Sequence, residues 1–138
     1  MSQSDLLHGV RVVSIAQNVP GPLAVARLAA HGASATKIEP LAGDPLLSLC
    51  RPWYDEMHSG VVVERLDLKS DDGRARLLAL LHDADIFITS HRPSALARLQ
   101  LHPVTIHAGA PRLRIIRVVG SLANPEEAML GATARLPL

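Results

Sequence analysis

Short apolar, β-branched runs alternate along the chain with longer stretches in which apolar side chains return every three or four positions. Residues 10–16 (VRVVSIA) have the composition and length of a strand buried on both faces. Asn18, Val19, Pro20, Gly21 and Pro22 interrupt it. Pro22 suits the first turn of a helix, where its missing N–H costs nothing, and residues 23–31 (LAVARLAAH) carry strong helix formers. Gly32 follows where a left-handed cap is expected. Residues 35–39 (ATKIE) predict the next strand, stopped by Pro40. A β-α-β unit of roughly 30 residues is the length of a crossover between parallel strands.

Residues 41–60 are the least regular stretch, with Gly43, Pro45, Pro52, Gly60 and the pair Trp53-Tyr54. They read as a long loop with room for one helical turn, of a kind often used for function or assembly. Residues 61–66 (VVVERL) predict a strand. Ser70 is a good N-cap, Asp71 and Asp72 favour the helix dipole, and residues 73–84 place Leu77, Leu78 and Leu81 at core spacing. Residues 85–89 (DIFIT) predict a strand, residues 93–99 a short helix opening at Pro93, and a second short helix begins at Pro103. Residues 112–119 (RLRIIRVV) predict the last strand. The pattern implies one α/β domain over residues 1–138, with an open, mainly parallel sheet and helices on both faces. Ligands of such sheets bind beyond the carboxyl ends of the strands. Those ends fall at residues 17–22, 39–44, 66–69, 90–93 and 120–123.

Composition narrows the function classes. The chain has 138 residues, 48% hydrophobic and 20% charged, which excludes a wholly disordered polymer. A net charge of +1 gives no strong pull toward nucleic acid or a membrane surface, and three aromatic residues are too few for a base-stacking platform. No apolar stretch reaches the length of a bilayer span, and residues 1–7 lack the pattern of a signal peptide. Cys50 is the lone cysteine, so neither an intramolecular disulfide nor a cysteine-based metal cluster is expected. These readings point to the cytoplasm.

The turn after the first strand lacks the Gly-x-Gly-x-x-Gly pattern, which disfavours an ordinary NAD or FAD site. His102 and His107 have no carboxylate or cysteine between them, and no metal site is assigned. His91 follows a strand end, a better place for function. Lys69, Arg92 and Arg98 all fall at or just beyond strand ends. Converging on one edge they suit phosphates or a phosphorylated adenosine; separately they pair with Asp67, Asp85 or Glu39 or remain solvated.

The order of several fragments carries more. Gly9-Val10 leads to Gly21-Pro22; Gly32-Ala33 leads to Lys37-Ile38-Glu39-Pro40 and Gly43-Asp44-Pro45. Leu66-Asp67-Leu68-Lys69 precedes Gly73-Arg74, and Ala84-Asp85 leads to Arg92-Pro93, Leu96, Arg98 and Leu99. This series, from about Leu7 to Gly120, resembles the N-terminal region of family III CoA-transferases, which include acyl-CoA racemases. The resemblance implies a Rossmann-like domain that binds coenzyme A or an acyl-CoA as ligand, with no covalently bound cofactor, in an interlocked homodimer. By position Asn18, Val19, Pro20, Leu66, Lys69, Ser90, His91, Arg92, Arg98 and Leu99 would line that site. The family's basic Asn-Arg-Gly-Lys-Arg run stands here as His58-Ser59-Gly60-Val61-Val62, and its Asn-Phe before Arg-Pro as Ser90-His91. The resemblance also implies an aspartate nucleophile well downstream of residues 112–119. On that reading the chain ends at Leu138 before reaching it, no catalytic residue is assigned, and Glu126 and Glu127 are poor substitutes. The alternative is a non-enzymatic assembly or regulatory module covered by a partner or a second copy, which Val61-Val62-Val63 and Leu136-Pro137-Leu138 would fit. A response-regulator-like or flavodoxin-like domain is weaker, because Asp44 and Asp67 are too isolated to form an acidic phosphorylation site.

Overall fold

Strand β1 (Arg11–Ser14) is followed by helix α1 (Pro20–Ala30) and strand β2 (Ser34–Glu39). In the computed structural model, which describes residues 5–120 and 123, the first crossover therefore forms where the apolar pattern places it. Pro20 and Pro22 open α1 near its N-terminus, and Gly32 beyond it takes φ 103°, the left-handed geometry that glycine adopts without a Cβ penalty. Glu126, Glu127 and residues 136–138 lie outside the described residues.

The stretch 41–60 differs from the expected irregular loop. It holds two helices, α2 (Pro45–Leu49) and α3 (Arg51–His58). Pro45 and Pro52 sit in their first turns, where proline starts a helix instead of breaking one, and Asp44 caps α2 by accepting from the Leu46 amide at 2.9 Å. Strand β3 (Val62–Arg65), helix α4 (Asp71–His82), strand β4 (Ile86–Thr89), helices α5 (Pro93–Arg98) and α6 (Pro103–Gly109), and strand β5 (Arg114–Arg117) complete the chain. Ser70 caps α4 as expected, its Oγ accepting from the Gly73 amide at 3.0 Å.

The five strands lie in the order β3-β2-β1-β4-β5 and every pairing is parallel. The chain begins at the centre of the sheet, builds outward through β2 and β3, then returns to add β4 and β5 on the other side of β1. Adjacent residues of β1 face opposite ways. Val13 joins Leu77, Leu81, Phe87, Leu96 and Ile106 under α4, α5 and α6. Val12 joins Val25, Ala35 and Ile88 under α1. A third apolar cluster, Leu46, Tyr54 and Met57, lays α2 and α3 against α1 through Val19 and Ala26. Helices thus cover both faces, as the pattern of strands and helices implies.

Candidate functional site

The strand order reverses between β1 and β4, and the loops leaving these two strands part there to leave a crevice. Two cavities open at this edge. The first, of about 400 Å³, has apolar walls from Ile15, Ile38, Leu66, Leu68 and Leu99, with Gln17, Asp67, Lys69 and His91 as its polar groups. The second, of about 300 Å³, is lined by Gln17, Asn18, Ser90, His91, Arg92 and Arg98, with Ala95 behind them. Gln17 and His91 border both.

Of the positions expected at a ligand site, Leu66, Lys69, His91 and Leu99 reach the first cavity, and Asn18, Ser90, His91, Arg92 and Arg98 the second. Val19 and Pro20 line neither: Val19 packs on the Leu46–Tyr54–Met57 cluster, and Pro20 opens α1. The three cations reach one edge. Among the described residues none of Lys69, Arg92 and Arg98 forms an ion pair, and the carboxylates named as their possible partners have other contacts. Asp85 accepts from the Arg11 amide at 2.8 Å, Asp67 accepts from the backbone amide of Lys69 at 3.0 Å, and Glu39 is buried among other partners.

Local hydrogen bonds fix the walls. The buried Ser90 hydroxyl accepts from the Gln17 amide at 3.1 Å, tying the end of β4 to the end of β1. The His91 amide donates to Thr89 Oγ1 at 3.0 Å. Burial pushes the His91 imidazole below its usual range, so near neutral pH the ring is uncharged and can offer one donor and one acceptor.

Behind the crevice lies a cluster of polar side chains that the sequence reading did not assemble. Lys37, only 1% exposed, directs its ammonium at Asp44 Oδ2, at Glu39 Oε2 (3.3 Å) and at His58 Nε2 (2.9 Å). Tyr54 donates to Glu39 Oε2 at 2.6 Å, and its ring stacks on His58 with centroids 3.9 Å apart. His58 Nδ1 lies 2.7 Å from the Tyr54 carbonyl, which can only accept. That contact assigns the proton to Nδ1 and leaves Nε2 as the acceptor for Lys37, so all three ammonium hydrogens have partners. Burial, with the Lys37 charge adding to it, holds the His58 imidazole below its usual range; burial and the Glu39 carboxylate raise the Tyr54 phenol. Glu39, Asp44 and His58 offer three ligand atoms within 4.8 Å of one another, a donor set of the kind that holds metals, but the Lys37 ammonium stands among them as the cation. The signal available in the sequence was Lys37 itself, one of two lysines, placed inside an apolar strand two positions from Glu39 and therefore on the same face.

Comparison with known proteins identifies the family. The profile of CoA-transferase family III matches residues 7–131. The chain is 32% identical over 130 residues to cinnamoyl-CoA:phenyllactate CoA-transferase of Clostridium sporogenes, covering 86% of this chain and 32% of that protein. It is 32% identical over 124 residues to the succinyl-CoA–L-malate CoA-transferase alpha subunit of Chloroflexus aurantiacus, covering 83% of this chain and 29% of that one. The crystal structure of Rv3272 from Mycobacterium tuberculosis superposes with a TM-score of 0.77 at 25% identity, over 92% of this chain and 37% of that chain. The chain spans about a third of the length of these proteins.

Proposed function

Since the chain belongs to CoA-transferase family III, we propose that its two strand-end cavities bind coenzyme A or an acyl-CoA. The observation that carries this reading is the gathering of Lys69, Arg92 and Arg98, none ion-paired among the described residues, around adjoining cavities at the switch point of a parallel sheet. The apolar first cavity suits a planar adenine, with Lys69 at its rim for a ribose phosphate. The second offers two guanidinium groups to a pyrophosphate, which they can contact in bidentate fashion.

By this reading the chain supplies the nucleotide-holding part of a transferase and does not move an acyl group or CoA unaided. Asp67 is the only carboxylate that lines either cavity among the described residues, and it already accepts from the Lys69 amide. Transfer of CoA from an acyl-CoA donor to a free acid, seen with this polypeptide alone, overturns that part. A cytoplasmic setting suits the exposed, unpaired thiol of Cys50. No described helix is long and apolar enough to cross a membrane.

Calorimetry with CoA tests the binding claim. Saturable binding that weakens as salt is raised is expected, with Arg92→Ala and Arg98→Ala each costing about tenfold in affinity. Absence of both heat and thermal shift at millimolar CoA excludes it. A second reading, a module that assembles with a copy of itself, is favoured by the exposure of Val62 (66%) and Val63 (37%) on the edge strand β3. Light scattering separates the two: a monomer that binds CoA leaves the first reading alone.

A further inference from the structure

Asn18 lies at the end of β1 and lines the cationic cavity, yet its backbone takes φ 65°, in the left-handed region that non-glycine residues occupy at a cost. Asparagine enters this region more readily than other non-glycine residues, yet at a greater cost than glycine, so a fixed partner is what makes the conformation persist. Its amide does not face the cavity as a donor for ligand; it points back to Asp44, whose Oδ1 and Oδ2 lie 3.1 and 3.2 Å away. Asp44 is 2% exposed and comes from a loop 26 residues further along the chain. Its own place is fixed on every side: Oδ1 also accepts from the Leu46 amide, Oδ2 from Lys37, and its amide donates to Glu39 Oε1 at 3.3 Å. Lys37 in turn sits on β2 directly beside Ser14 of β1, so the anchor is built into the sheet.

We infer that Asp44 is a positioning residue for the ligand cleft: it holds Asn18 in the left-handed conformation that shapes the cationic cavity, without touching the ligand itself. The inference rests on the CoA-binding reading for its consequence, but the anchoring is a property of the unliganded chain. The carboxylate is required, not merely its shape. In Asp44→Asn one of the two oxygens becomes an NH₂, and either orientation sets that group against a donor: Lys37 Nζ on one side, the Leu46 and Asn18 amides on the other. A turn that holds the binding conformation only part of the time binds with an affinity reduced by that fraction.

The experiment has two readouts. In the free protein, amide hydrogen exchange at Asn18 is expected to be slow, and at least about tenfold faster in Asp44→Asn, while the Ile15 amide, bonded to Ile88 O at 2.9 Å, keeps its protection. In CoA titrations, Asp44→Asn is expected to weaken binding about tenfold, and adding Asn18→Gly to recover part of the loss, because glycine reaches the same backbone geometry unaided while giving up the Asn18 side-chain contact. Loss of general stability alone would not be rescued in this way. If Asp44→Asn does not fold, Asn18→Gly against Asn18→Ala decides, since both lose the same side-chain contact: glycine is expected to bind about fivefold more tightly. Equal affinity of these two variants, unchanged affinity in a folded Asp44→Asn, or fast exchange at Asn18 in the unmodified protein overturns the inference. Failure of the unmodified protein to bind CoA defeats the functional reading instead, and the exchange measurement then decides the anchoring by itself.

Discussion

His58 and His91 are both kept neutral by burial, one beneath the crevice and one on its wall. Each therefore binds fewer protons when folded than when unfolded at pH values below the ordinary imidazole value of about 6.5. Wherever the unfolded chain binds more protons, stability rises with pH. The contribution of both rings is thus complete above about pH 6.5 and is lost as pH falls toward their lowered folded values. Melting curves from pH 8 to pH 5 should show a falling midpoint below about pH 6.5, and His58→Gln should flatten that slope by at most ~1.4 kcal/mol per pH unit, the limit for one proton. Lys37 presents the opposite case. Lys37→Met removes the buried cation between Glu39 and Asp44 and leaves only the half-exposed Arg65, 3.9 Å from Glu39, so urea unfolding should report a loss of about 3–5 kcal/mol. The exposed cations Lys69, Arg92 and Arg98 are legible in the sequence because loops after strands announce themselves in the pattern. The meeting of Lys37 with Asp44 and His58 is not, because partners 7 and 21 residues apart come together only once the turn before α2 and helix α3 fold back on the sheet.

At the scale of elements, the turn that presents Lys69 is fastened to the first turn of α4. Ser70 Oγ donates to the Asp67 carbonyl at 2.7 Å while accepting from the Gly73 amide, and Arg74 reaches the Lys69 carbonyl at 2.9 Å. Gly73 lies so close to the Asp67 carbonyl that a Cβ there would collide with backbone, which cannot yield as a side-chain tip does. Gly73→Ala is expected to cost about 1–3 kcal/mol in urea unfolding and to weaken CoA binding, because relief of the clash must move residues 67–70. Ser70→Ala, which removes the cap without displacing the turn, should cost about 1 kcal/mol. Every strand and the helices α1, α4, α5 and α6 were legible from apolar period and capping residues, to within a few positions. Helices α2 and α3 were not, because their prolines read equally well as interruptions. Asp44 before Pro45 was the discriminating sign, a capping side chain placed one residue ahead of a helix-starting proline.

For the molecule as a whole, parallel pairing followed from strand–helix alternation, but the order of the strands did not, since several arrangements satisfy the same pattern of buried faces. The order leaves β3 at an edge with Val62 and Val63 exposed, and an open edge strand offers unpaired backbone groups to other chains. If copies pair through β3, Val62→Lys is expected to lower concentration-dependent scattering while leaving the proposed CoA affinity unchanged. The order also makes the crevice a seam. Its floor comes from the central strand, Leu66 and Lys69 arrive with the half of the sheet laid down first, and His91, Arg92 and Arg98 arrive only when the chain has doubled back to the other side. During synthesis the residues of the early half emerge before His91, Arg92 and Arg98, which close the pocket on the other side. If CoA fills it as proposed, the ligand works as a rivet through both halves, and its grip would be felt first as a slower parting of Ile15 from Ile88, at the line where they meet.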